Sequence, residues 1–115
     1  MAQQEFLVIK KANDLAKWLL NHTGKFPKSH RFSIAVRMEN AILAFIELTT
    51  VANMREHKLP LLRNADEALL KAKLLFRLSY ELRFVNFKSY EYGSEKLQEL
   101  GRLLGGWIKK PGMAS

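Results

Sequence analysis

The apolar residues of this chain recur at steps of three and four along nearly its whole length, a period that admits helices and excludes strands. The pattern is clearest where Ile34, Met38, Ala41, Phe45, Leu48 and Ala52 alternate steps of four and three, as in a helix packed in a bundle or coiled coil. A second apolar line through Phe32, Val36, Leu43 and Ile46 predicts that this helix meets neighbours on two sides, as a central helix or one that also serves a subunit interface. Upstream, Val8, Ala12, Leu15 and Leu19 form a stripe widened by Phe6, Ile9 and Ala16, and Lys10, Asp14, Lys17 and Asn21 line the opposite face. Downstream, Leu62, Ala65, Leu69, Ala72 and Phe76 repeat, and then Leu97, Leu100, Leu104 and Trp107. Trp18 falls at the edge of the first stripe, the position of a half-buried indole.

Three breaks separate these stripes. Gly24 tolerates positive φ and Pro27 forces its predecessor out of the helical region, after which the Ser29 hydroxyl is placed to cap the next helix. His57-Lys58-Leu59-Pro60 is a tight link, with Pro60 in a first helical turn where its missing N–H costs nothing. Asn86 to Ser89 breaks the third pattern, Ser89 being the expected cap and Glu91 following in the first turn. The spacing predicts helices at about 3–21, 29–57, 60–86 and 89–110 in a single domain over residues 1–115. Links this short make successive helices antiparallel neighbours, so the expected fold is all-α, an antiparallel up-down-up-down four-helix bundle. Gly101 and Gly105, one turn apart, predict close approach of another backbone, and Pro111 to Ser115 is expected to be a loose tail.

At 48% hydrophobic, 115 residues suffice for one sizeable core. Nineteen Lys and Arg against eleven Asp and Glu give +8, and the excess is blocked along the chain. Residues 25–37 carry Lys25, Lys28, Arg31 and Arg37 with no acid, and a second basic block spans residues 55–88. On the third helix the pattern places Arg63, Lys73 and Arg77 on an outer face, with Lys71 and Arg83 flanking. A folded domain with blocked positive charge attracts polyanions, most often nucleic acid, through salt-sensitive phosphate contacts that do not read sequence. The plainer alternative is a basic surface that serves solubility.

Catalytic chemistry finds no support. There is no cysteine, no glycine-rich phosphate loop and no Gly-x-Ser-x-Gly elbow, and His22, His30 and His57 sit at helix ends away from ligand spacing. Glu39 and Glu47 lack the Glu-x-x-His partners of a bundle di-metal site. A non-enzyme without metal or cofactor is therefore expected. Tyr80, Phe84, Phe87, Tyr90 and Tyr92 are interleaved with Arg83 and Lys88; they either close the end of the bundle, the favoured reading, or stack on unpaired bases. The polar start and the lack of a long apolar run predict neither signal peptide nor membrane span, and with no cysteine they point to a cytoplasmic protein.

Phe26-Pro27-Lys28 with Arg31-Phe32 at the entry to the second helix, and Gly105-Gly106-Trp107 near the end, resemble the four-helix-bundle proteins that include the accessory variability protein (Avd) of diversity-generating retroelements. The resemblance covers nearly the whole chain. It implies a protomer that assembles into a basic homopentameric barrel, binds the retroelement's reverse transcriptase together with RNA or DNA, and supports mutagenic retrohoming. By that analogy Lys28 and Arg31 meet partner or RNA, or fix the turn. A related branch, encoded in intervening sequences of ribosomal RNA genes, carries a Ser-Ile-Pro-x-Asn-Ile-Ala-Glu-like segment on the second helix. Here Ile46-Glu47-Leu48-Thr49-Thr50-Val51-Ala52-Asn53 lacks the proline and that ending, which favours Avd. The alternative is a ribosome- or rRNA-associated structural bundle.

Overall fold

The computed structural model describes residues 3–110, in which the apolar stripes turn inward on four long helices. These are α1 (Gln3–Thr23), α3 (Val36–Asn53), α4 (Leu59–Glu81) and α5 (Phe87–Ile108); the short α2 (Lys28–His30) leads through a π-helical segment, Arg31–Ala35, into α3. Among the described residues there is no strand. Both α1 and α4 pack against α3 and α5, so the four long helices enclose one core. Trp107, Phe45, Phe76, Leu19, Met38 and Ile42 are its largest fully buried members.

Contacts fix the direction of α5 on α1. Lys110 near the end of α5 donates to Glu5 near the start of α1 (2.8 Å), Lys11 pairs with Glu99 (2.9 Å), and Ser89 meets His22 (3.4 Å). The two helices therefore run antiparallel along their length. Glu5 is buried, which alone would raise its pKa, but the Lys110 hydrogen bond and the charges of Lys110 and Lys58 outweigh this and hold it below the ordinary carboxylate value. Glu99 is held low chiefly by the hydrogen bond from Lys11.

Helix ends differ from the spacing-based expectation for local reasons. The second long helix ends at Asn53 rather than 57, because Ala52 is its last buried residue and Met54 to His57 all face solvent. The next ends at Glu81 rather than 86. There Phe84 N–H donates to the Ser79 carbonyl and Arg83 N–H to that of Tyr80, with Arg83 at φ 67°, a Schellman closure in which an arginine occupies the position usually held by glycine. The last helix starts at Phe87 rather than 89 because Asn86, not Ser89, is its cap: Asn86 Oδ1 accepts from Ser89 N–H at 2.8 Å. Nor does Ser29 cap the second helix. Pro27 takes that place, with no side-chain hydrogen bond, and Ser29 lies inside α2.

The π segment carries a larger consequence. Its i→i+5 bonding adds about a residue to the turn and advances the phase of what precedes it. Phe32, which an uninterrupted α period puts on a packed line with Val36 and Ile46, stands 85% exposed, and Leu43 of the same line is also exposed. The expected two-sided packing of that line is thus only partly realised.

The close backbone approach expected at Gly101 and Gly105 is not found, and the crowding that does occur is by side chains. A Cβ on Gly105 would meet nothing within 4 Å, and one on Gly101 would meet only the flexible end of Lys73 at 3.2 Å and Leu69 at 3.7 Å. The crowded glycine is Gly93, where a Cβ would lie 2.5 Å from Phe76 Cζ and 2.9 Å from Trp18. Both rings are held by other rings: Trp18 by Tyr92, and Phe76 by Tyr90.

Gly93→Ala is therefore expected to destabilise the fold by about 1–3 kcal/mol through overpacking, whereas Gly105→Ala is expected to be neutral or to stabilise it by up to about 1 kcal/mol. Denaturant midpoints of the two variants check this contrast, and a Gly93→Ala midpoint at or above wild type contradicts it. Glu5 gives a pH prediction. Since its folded pKa is depressed, its ionised form adds stability above the unfolded value of about 4.3, and that increment is lost as pH falls through the lowered folded value. Melting temperatures recorded from neutral pH down to about pH 3 should fall less steeply for Glu5→Gln than for wild type.

Candidate nucleic-acid interface

Two links meet at one end of the molecule. The first, residues 24–27, leaves α1 by a tight turn in which Lys25 N–H reaches the His22 carbonyl and Phe26 N–H that of Thr23, both at 3.1 Å. Phe26 is buried while Lys25 and Pro27 face solvent. The second link, residues 82–86, buries Val85 and half-buries Phe84. The Phe84 ring lies against Phe26 (5.4 Å between centroids) and against His30 (4.9 Å), so the links are packed on each other through their apolar members. Their cations are left outside.

Lys25, Lys28, Arg31 and Arg83 consequently share this end, all exposed. Arg31 is partly fixed by donating from Nη2 to the Gly24 carbonyl at 3.0 Å, which ties the start of the π segment back to the link. Lys88, which the spacing argument did not single out, joins them from the first turn of α5. The acids nearby are Glu81, whose carboxylate is 3.8 Å from Arg77 Nε, and Glu91. Thr23 donates its hydroxyl to Glu39, engaging that carboxylate where α1 meets α3.

The remaining sequence-selected cations do not form a common face with these. Arg37 and Lys71 line a groove of about 640 Å³ between α3 and α4, together with Ala41, Ala44, Ala68, Leu75 and Glu67. Lys73 and Arg77 lie on the other side of α4, along the groove toward α5 with Tyr90 and Gln98. Lys73 is half-buried with its amine beside Gly101, so its stem covers apolar surface. Arg63 is exposed in the first turns of α4, toward the far end. The outer face of α4 expected from spacing is thus divided between two grooves. Basic residues at the far end are partly used by the fold: Lys110 holds Glu5 and Lys58 donates to the Arg55 carbonyl.

His22 and His30 are engaged in packing, whereas His57 is exposed. His22 Nδ1 donates to the Trp18 carbonyl at 2.9 Å, which leaves Nε2 to accept from the Ser89 hydroxyl, and His30 lies on Phe84. Among the described residues no group of three or more His, Cys, Asp or Glu is placed to hold a metal ion, and no helix is long and apolar enough to cross a membrane. The aromatic run divides in two: Tyr80 stacks on Tyr90 (4.2 Å, 8°) and Tyr92 tilts against Trp18, while Phe87 is 60% exposed. What this surface offers is clustered cations suited to phosphate contacts.

No curated protein and no solved structure matches the chain. A family model described as bAvd-like matches residues 6–111, which takes in the Phe26-Pro27-Lys28 link, Arg31-Phe32, all but the first residues of α1, and the rest of the helical core. The chain belongs to the bAvd-like family, that of the accessory variability proteins.

Proposed function

We propose that this protein is a non-enzymatic accessory factor of a diversity-generating retroelement, acting in the cytoplasm. It binds the element's reverse transcriptase and holds RNA or cDNA on its basic surface, supporting mutagenic retrohoming. The observation that carries this reading is membership of the bAvd-like family in a chain that leaves Lys25, Lys28, Arg31, Arg83 and Lys88 exposed together at one end of the bundle. Clustered, solvent-reachable Lys and Arg bind phosphates regardless of sequence, which suits a factor that must accompany a template and its variable copy.

Self-assembly is the second part of the proposal. On α4, Leu70 and Leu74 are each 67% exposed one turn apart, and Leu78 continues the row beside the α3–α4 groove. An uncovered leucine row on a small chain is a surface that association would remove from water. We assign it to a second copy of this chain, within a homopentamer; five copies at +8 would together carry about +40 and concentrate the field that attracts nucleic acid.

The test is the light-scattering mass of nuclease-treated protein at moderate salt, followed by capture of the cognate reverse transcriptase and RNA titration over a salt series. The expected results are a mass about five times the 13.3 kDa chain, dissociation by Leu74→Glu, retention of the polymerase, and RNA affinity that falls steeply with salt. A wild-type monomer across micromolar concentrations would sink the assembly, and absence of RNA binding at low salt would sink the nucleic-acid role. Ribosome association without polymerase capture would transfer the protein to the rRNA-associated reading.

A further inference from the structure

Two phenylalanines at the basic end are left in solvent although neighbouring rings are packed. Phe32 is 85% and Phe87 60% exposed, while Tyr80, Phe84 and Tyr90 are all engaged with other rings. Phe87 forms one edge of an open cleft of about 510 Å³ lined by Tyr80, Glu81, Arg83, Val85, Asn86 and Phe87. The Tyr80 ring stands 6.3 Å from that of Phe87 at an angle of 54°. Arg83 lines the same cleft from the left-handed position of the Schellman turn, where glycine would be the residue of least strain. Phe32 follows Arg31 in the π segment, two residues beyond His30, which packs on Phe84 of the second link.

Exposed aromatic faces among cations have a specific chemical use. A nucleobase that is unpaired has a free π-face to place on such a ring while its phosphates meet Lys and Arg; a duplex keeps its bases stacked inside and offers phosphates alone. We infer that this end of the molecule is a binding site for single-stranded nucleic acid, with one base stacked on Phe87 in the cleft, another on Phe32, and the phosphates held by Lys28, Arg31, Arg83 and Lys88. The inference rests on the nucleic-acid reading above and deepens it by naming the strand state of the ligand. Glu81 is the one acid on the cleft, and Arg77 lies beside its carboxylate at 3.8 Å, which reduces its repulsion of a phosphate. Neither ring contributes to the buried core, so both can be changed without touching it.

The experiment uses the full chain and fluorescein-labelled 12-nucleotide RNA, single-stranded or annealed to its complement, followed by anisotropy at low salt and over a salt series. Wild type is expected to prefer the single strand. Phe87→Ala and Phe32→Ala should each weaken single-strand binding about 5- to 100-fold and leave duplex binding within about twofold. Phe87→Trp should retain the affinity, whereas Phe87→Leu, which keeps apolar bulk without the π-face, should not. Arg83→Gly, which also relaxes the turn, should lower the salt slope for single strands by about 0.7, one phosphate's worth. Circular dichroism and light-scattering mass accompany each variant. Equal losses for single strand and duplex, no loss at Phe87→Ala, or a change of oligomeric mass that accounts for the loss would each overturn the inference while leaving the nucleic-acid role intact. Failure of wild type to bind either form would overturn both.

Discussion

The contact of Phe26 with Phe84 sets the character of the basic end. Each ring comes from a link rather than a helix, and burying them together with Val85 lets two short connections close over the core. Turning those apolar residues inward has a geometric consequence for their neighbours in sequence. Lys25 precedes Phe26, Lys28 follows Pro27, and Arg83 precedes Phe84, so the charged neighbours face outward around the packed rings. Hydrophobic closure of the end and clustering of its positive charge are one arrangement. Loss of the Phe26 ring would loosen both links and disperse the cations with them.

Much of this was legible in the chain. The three-and-four spacing marks the four long helices, and the buried residues of each, Val8, Ala12, Leu15 and Leu19 on α1 or Leu97, Leu100, Leu104 and Trp107 on α5, are those of its stripe. The cluster of Lys25, Lys28 and Arg31 was visible as a stretch without acids. What the spacing hid was non-α geometry. A π turn inside an apolar pattern leaves no trace in residue types, and Phe32, which reads as a packed residue, stands exposed within it. Arg83 gave no turn signal because the left-handed position is ordinarily announced by Gly or Asn. Gly93 is hidden for the opposite reason: the Gly101 and Gly105 pair stands out by its period, whereas crowding depends on which rings a neighbouring helix presents. The division of the α4 cations was hidden too, because a single helix periodicity cannot say where the neighbouring helices sit on its flanks.

The leucine row and the basic end occupy different parts of the surface, which bears on how the proposed activities would coexist. The leucine row of α4 runs along the side of the bundle, where Arg37 and Lys71 line the adjacent groove, whereas the phosphate-suited cations and the exposed Phe87 sit on or beside links at its end. A second copy laid along the side would cover Leu70 and Leu74 without needing to cover the end. Copies related by rotation about an axis roughly parallel to the helices would then bring their basic ends to the same side of the assembly. Like charges placed side by side repel, at a cost that rises as salt is withdrawn. A polyanion bound across several such ends would offset that repulsion. On this reading nucleic acid and subunit association reinforce each other through the electrostatic term alone, with no change of conformation required of the protomer.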